Sequence, residues 1–338
     1  MNGDRFAAIT ARYAGLCVAV VGDFCLDRYL EIDPAKCEIS IETGLPVHNV
    51  VRVRAQPGGA GTILNNLAAL RVGEIWPVGF CGDDGEGYEL RRALSAVPGV
   101  RMDYFLQTTE RRTFTYCKPL VLNSGQSPRE LSRLDSKNWT PTPPTVTGPL
   151  AAGVSKLGEM LDAIIVLDQV DIAQTGVVTA RVIEEIAALS LRRPELLILA
   201  DSRRGLRDFP HIGYKMNRAE LAALSGVTEK FIVEEVQQAA AQLARTMGHP
   251  VFVTLSEEGI VGADAAGNAA HQPTLPVRGE IDIVGAGDAV MANLTTALAA
   301  GATLPEALKI SMAAASIVVH QLGTTGTASV EQLRQNLF

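Results

Sequence analysis

Five stretches of the chain are apolar at nearly every position: "LCVAVVG" (16–22), "EIWPVGF" (74–80), "DAIIVLD" (162–168), "ELLILAD" (195–201) and "PVFVTLS" (250–256). A strand without polar alternation is buried on both faces, as in a parallel sheet covered by helices. Between these stretches, segments such as "GTILNNLAAL", "GVVTARVIEEIAALS" and "VEEVQQAAAQLARTM" carry apolar residues at helical spacing. Alternating β and α elements predict a doubly wound α/β fold, a largely parallel sheet sandwiched by helices, in a single domain over 1–338.

Two regions break the rhythm. Residues 28–54 and 101–122 alternate apolar and polar side chains and show no helical period. They read either as a small second sheet, a lid over the main domain, or as edge hairpins of the main sheet. The Pro/Thr-rich "NWTPTPPTVTGP" (138–149) reads as an exposed connector.

Composition narrows the function classes. The 338 residues are 47% hydrophobic and 20% charged with a net charge of −7, so the chain is globular and a poor match to nucleic acid or an anionic membrane. Five scattered cysteines without a C-x-x-C pair fit a reducing compartment. The first residues are too charged for a signal peptide, and no apolar run reaches 18 residues, so a cytoplasmic location is expected.

Candidate chemistry concentrates in "DIVGAGDAV" (282–290), where a strand-like run enters a glycine turn and then a helix. A helix N-terminus offers unpaired N–H groups and positive dipole character, so Gly285, Ala286 and Gly287 can receive an anion. Asp288 beside that anion suits a base that takes the proton of an attacking hydroxyl, as phosphoryl transfer requires. The plain structural reading is a glycine turn with a capping Asp.

Other positions have the same two sides. Asp23 and Asp27, in "VVGDFCLDRY", follow the first strand, where α/β folds gather ligands; Asp27 suits a polyol, and both also suit a turn. Gly58 and Gly59 open another helix, with Asn65 and Asn66 one to two turns on. Asn217 and Glu220, in "YKMNRAEL", are one helical turn apart, spaced for a metal–water shell or for simple capping. Thr254, Ser256 and Gly259 surround a tight turn between strands.

Together "DIVGAGD" and "PGGAGTILNNLAAL" resemble the two signatures of the ribokinase-like, or PfkB, carbohydrate kinases, in order across nearly the whole chain. Within that family "RLD" (133–135), "LLILADSRRG", "KMNRAEL", "TLSEEGI" and "HQLGTTGTASVEQL" are similar to the bacterial heptose 7-phosphate kinases. The resemblance implies an ATP- and Mg²⁺-dependent sugar or sugar-phosphate kinase with a β-sheet lid and a homodimer formed through it. It further implies Asp288 as base and Gly285, Ala286 and Gly287 as anion hole. Asp27, Gly58, Gly59 and Asn66 would lie at the sugar, Asn217 and Glu220 near the phosphates and Mg²⁺, and Thr254, Ser256, Gly259 and Gly323 near the nucleotide. Asp282 would lie at a monovalent-cation (K⁺) site.

The chain departs from the pattern in several places. Ile283 and Val284 stand where the family's Thr precedes the glycine turn, and Thr62 replaces an Asn. The heptose kinases' Asp-Tyr-x-Lys-Gly is replaced by Asp168-Gln169-Val170-Asp171, leaving Arg203, Arg204 or the lid cations Arg111, Arg112 and Lys118 to meet a substrate phosphate. The sequence ends at Phe338, so a nucleotidylyltransferase domain carried by some heptose kinases is not expected.

A dinucleotide-binding G-x-G-x-x-G would need a third glycine after Gly59-Ala60-Gly61-Thr62-Ile63-Leu64, and no P-loop occurs. The five histidines lack metal-ligand spacing. The remaining alternatives are a kinase of a nucleoside or other small alcohol, and a binding or regulatory protein that keeps the fold without transfer activity.

Overall fold

The computed structural model describes residues 1–338 except 124, 126 and 227–231. Its main sheet has nine strands in the spatial order Ala269–Gln272, Ile260–Ala263, Val251–Thr254, Gly213–Asn217, Leu197–Ser202, Ala163–Asp168, Cys17–Gly22, Glu74–Gly82, Phe105–Thr108. Neighbours pair in parallel from Val251–Thr254 to Phe105–Thr108, and the two strands beyond Val251–Thr254 close the sheet in antiparallel fashion.

The apolar runs do what their pattern requires. Successive side chains of a strand point to opposite faces. Val18, Val20, Ile165 and Leu167 therefore join the core under the helices Ala60–Ala69, Ala286–Ala299 and Leu304–Val319. Ala19, Val21, Ile164 and Val166 join the core under Pro144–Leu157, Ala180–Arg192 and Val233–Met247. Each large aliphatic side chain buried this way contributes about 1.5–3 kcal/mol relative to exposure. Among the described residues no helix is long and apolar enough to cross a membrane.

A second sheet stands over the carboxyl ends of the main strands. Leu134–Ser136, Phe114–Val121, Phe24–Ile32 and Val50–Gly59 lie side by side in that order, with Arg129–Glu130 pairing to Phe114–Val121. This second sheet extends beyond the expected 28–54 and 101–122, starting at Phe24, running to Gly59 and taking in Arg129–Glu130 and Leu134–Ser136. Of 101–122, Phe105–Thr108 belongs to the edge of the main sheet, where it pairs with Gly79–Gly82. Burial decides the matter: Phe105 is buried and meets the Phe24 ring edge-on at 5.2 Å, a contact that an alternating pattern does not encode. The connector also ends early, because Pro144 opens a helix as its first residue, where a missing N–H costs nothing.

The chain passes between the sheets at two adjacent points. Cys17–Gly22 runs through Asp23 into Phe24–Ile32, and Val50–Gly59 returns into the helix Ala60–Ala69. Ala60 N–H donates to the Asp23 carbonyl at 3.1 Å. Gly59 has φ +56°, and a Cβ there would lie 2.5 Å from that carbonyl oxygen, so only glycine fits.

Candidate active site

Beneath the second sheet lies a cleft of about 530 Å³, a size suited to a small molecule. Val284 and Asp288, on either side of the glycine turn, line its core side. Gly285 takes φ +84° as N-cap of the helix Ala286–Ala299, a left-handed conformation that favours glycine. Ala286 donates its N–H to the Ile283 carbonyl at 3.2 Å. The Ala286 amide, expected in the anion hole, is therefore engaged in the turn itself, because a tight entry into the helix closes on that bond. The amides of Gly285, Gly287 and Asp288 have no protein acceptor among the described residues.

Lys215 lies directly below. A Cβ on Gly287 would sit 3.2 Å from Lys215 Nζ, so the glycine leaves room for the ammonium. Lys215 is buried on the strand Gly213–Asn217, and its Nζ is 2.6 Å from Asp201 Oδ2. Burial disfavours its charge, yet Asp201, then Asp288 and Glu220, outweigh that and raise its pKa. Asp288 faces the cleft; desolvation pushes its carboxyl up to about 7, with Lys215 pulling down and Asp201 and Asp27 pushing up. A carboxyl poised near neutrality is suited to accept a proton.

The opposite wall comes from the second sheet. Asp27 is buried 3.3 Å from Lys118, and a Cβ on Gly58 would come within 2.5 Å of Asp27 Oδ2, so Gly58 opens the space the carboxylate occupies. Arg133 pairs with Asp135 at 3.2 Å, while Lys137 and Arg203 share Asp171 at 2.7 and 3.4 Å. Lys118, Arg133, Lys137 and Arg203 all line the cleft. Lys137 follows the second sheet and Asp171 follows a main-sheet strand, so their pair ties the two layers together.

Several sequence candidates have structural duties. Asp23 accepts N–H bonds from Gln169 (2.8 Å) and Val177 (2.7 Å), bracing the loop 169–177; burial and then Asp168 push its carboxyl up to about 7. Asp168 holds Arg204 at 2.7 Å and Ser202 at 2.8 Å, which turns Arg204 inward and leaves Arg203 to the cleft. Arg111 binds the carbonyls of Thr140 and Pro141. Asn66, expected at the sugar, is fully buried in its helix and donates to the carbonyls of Thr62 (3.0 Å) and Gly326 (3.3 Å). Its place one turn inside the helix, facing the core, keeps it off the cleft. Thr62, which replaces the family Asn, lines the cleft instead.

Asn217 and Glu220 form a reciprocal capping box: Asn217 Oδ1 accepts from the Glu220 N–H at 2.9 Å, and Glu220 Oε2 accepts from the Asn217 N–H at 2.7 Å. Asp282 accepts from the N–H groups of Val284 (3.0 Å) and Gly323 (3.4 Å), one on each oxygen. Thr254 donates to the Met216 carbonyl at 3.4 Å. Ser256 (φ +52°) and Gly259 (φ +98°) form the turn between two strands. Of the expected site residues, Asp27, Gly59 and Asp288 line the cleft itself; Gly58 and the turn Gly285–Gly287 lie beside lining residues, and Asn217, Glu220, Thr254, Ser256, Gly259 and Gly323 are not among its lining. Lys215, Asp201, Lys137, Asp171 and Thr325 were not foreseen. For Lys215 a signal existed: a lone lysine inside an otherwise apolar strand.

Residues 208–331 match the model of the pfkB family of carbohydrate kinases. A bifunctional protein HldE from Bradyrhizobium sp. (strain ORS 278) is 30% identical over 341 residues, covering 99% of this chain and 65% of the relative. Another, from Pelobacter propionicus, is 31% identical over 316 residues, 92% of this chain and 61% of the relative. The chain thus spans less than two thirds of either. Ribokinase from Arabidopsis thaliana, complexed with ribose and ATP, has the same fold at TM-score 0.66 and 19% identity, covering 95% of this chain and 98% of that one. Phosphofructokinase-2 from Escherichia coli, in complex with substrates and products, superposes at TM-score 0.72 and 19% identity, with the same coverage.

Proposed function

We propose, for a chain that belongs to the PfkB family of carbohydrate kinases, that it transfers the γ-phosphoryl group of ATP to a hydroxyl of a phosphorylated sugar, with D-glycero-D-manno-heptose 7-phosphate as the first candidate. The observation that carries this reading is one cleft lined by Asp288, which follows the turn with the free Gly285 and Gly287 amides, and by the four cations Lys118, Arg133, Lys137 and Arg203. A substrate with a hydroxyl at one end and an anion at the other satisfies both walls. In this reading the hydroxyl meets Asp288 and the phosphate meets Lys118, Arg133, Lys137 and Arg203.

In the transfer, the hydroxyl oxygen forms a bond to the γ-phosphorus as the bond from phosphorus to the ADP oxygen breaks. The hydroxyl proton goes to Asp288, and ADP leaves with the bonding pair. Lys215 and the free amides stabilise negative charge on the transferred group. Asp27, held by Lys118 at 3.3 Å, accepts from sugar hydroxyls. The second sheet, acting as a lid, keeps water out.

Mg²⁺ would neutralise phosphate charge when bound. Glu220 fits its hydration shell, because only one carboxylate oxygen is engaged by the capping box. Asp282 fits K⁺ less well, since each of its oxygens already accepts an amide, so a K⁺ requirement would need that side chain to turn. The edge strand Val50–Gly59 carries exposed Val50, Val51 and Val53, an unpaired apolar edge suited to a homodimer through the lids.

The test is ADP release from Mg-ATP across sugars and their phosphates, including heptose 7-phosphate, with the oligomeric state followed by sedimentation. Turnover confined to phosphorylated sugars is the expected result. Preference for an unphosphorylated sugar would remove the role given to the cations, and silence with every carbohydrate would remove the kinase reading.

A further inference from the structure

Residues directly opposite in an antiparallel pair direct their side chains to the same face. Asp27 is opposite Gln56, so both look from the second sheet toward the cleft. Gln56 reaches across to the loop 322–327. Its Nε2 donates to Thr325 Oγ1 at 2.7 Å, and its Oε1 accepts from Thr324 Oγ1 at 3.2 Å. Thr325 lies against the glycine turn: a Cβ on Gly285 would be 3.5 Å from Thr325 Cβ and 3.6 Å from its Cα. The same loop is held by Asn66 on the Gly326 carbonyl and by Asp282 on the Gly323 N–H.

One amide thus connects two parts of the cleft that are 269 residues apart in sequence. On one side is the strand pair bearing Asp27, which continues through Gly58 and Gly59 into the helix Ala60–Ala69. On the other is the residue packed on the anion-binding turn. An amide both donates and accepts, so it clamps two successive threonine hydroxyls and fixes the loop's rotation as well as its distance.

We propose that Gln56 is a positioning residue that couples occupancy of the sugar side of the cleft to the geometry of the Gly285–Gly287 turn. When a sugar engages Asp27, the strand pair shifts or stiffens, Gln56 carries Thr324 and Thr325 with it, and Thr325 sets the glycine turn for the phosphoryl group. Gln56 lies outside the residues lining the cleft and acts through Thr325. The coupling rests on the kinase reading above; the mechanical tie does not.

The experiment compares wild type, Gln56→Ala, Thr325→Val and the double variant. Without ligand, backbone hydrogen exchange is measured over 282–287 and 322–327. Gln56→Ala is expected to speed exchange in both segments and leave 163–168 unchanged. With ligand, affinity for the analogue AMP-PNP is measured with and without the panel sugar of highest turnover. Loss of at least about fivefold of the sugar-induced tightening is expected, within the usual range for coupled sites. The kcat should fall while the sugar KM stays within about twofold, the pattern of a contact that matters in the transition state. The double variant should be no worse than either single one, since both cut the same tie.

Wild-type exchange and an unchanged affinity ratio in Gln56→Ala would overturn the proposal. Should that variant fail to fold, Thr325→Val keeps the side-chain shape and decides in its place. If no carbohydrate is turned over, the kinase reading fails, and the exchange measurement still decides whether Gln56 holds the turn.

Discussion

The two walls of the cleft are built by opposite strategies. On the core side, consecutive residues Gly285 to Asp288 provide the turn, the free amides and the carboxyl, and one buried lysine supports them from below. Across the cleft, Lys118, Arg133 and Lys137 come from the second sheet and its flanking segments and Arg203 from the end of the main-sheet strand Leu197–Ser202, each held by a carboxylate between 2.7 and 3.4 Å away. The first wall is short-range, built by one stretch of consecutive residues. The second is a set of exchangeable ion pairs in which Asp27, Asp135 and Asp171 occupy the cations a substrate anion would meet. The difference suits the two tasks, since a locally built wall keeps the reacting groups in one register and exchangeable ion pairs can select the substrate.

The sharpest way to break this contrast is at Asp288. Asp288→Asn should fold and bind nucleotide yet lose about 10²–10⁴ in kcat, the usual worth of a positioned base. Near-normal turnover in steady-state assays would end the assignment. Because the Asp288 carboxyl is pushed up to about 7, wild-type turnover should rise with pH through that value. The stability consequence has the opposite sense. A folded pKa above the unfolded one makes the protonated form stabilising, so this contribution is lost as pH rises through about 7, and Asp288→Asn should be relatively more stable in alkaline melts.

A second test separates the lysine from the turn. Lys215→Met should reduce kcat by about 10²–10³, as removal of a charge-stabilising donor does. It should also move the Asp288-dependent limb of the pH profile to higher pH, because Lys215 is the influence that holds that carboxyl down. A limb that stays in place would show that the two groups act separately.

The smallest expected effect is on the adjustable wall. Arg203→Ala should raise KM for a phosphorylated sugar roughly 10–100-fold, the equivalent of about 1.5–3 kcal/mol for a charged hydrogen bond. It should leave KM for ATP and for the unphosphorylated sugar nearly unchanged. Equal losses for both sugars would merge the two walls into one.

The sequence by itself determined the features encoded in neighbouring residues. Apolar runs became the strands buried on both faces, and the glycines at 59 and 285 took the positive φ that favours glycine, with no room for a Cβ at 59. Asp288 was legible because a carboxylate behind a glycine turn at a helix start is a four-residue message. Asn217 and Glu220 were legible only as spacing, which served capping and ligand binding equally, and the reciprocal bonds show that they cap.

The tertiary structure decided the rest. Phe105–Thr108 joined the main sheet because Phe105 packs on Phe24, a partner 81 positions earlier in the chain. Lys215 came to lie under Gly287, and Gln56 came to hold Thr325, because strand order brings those chain segments together. Turn chemistry needs the dihedral preferences of a few adjacent residues, whereas a wall of cations needs a topology. No local pattern states which distant side chains the topology will gather.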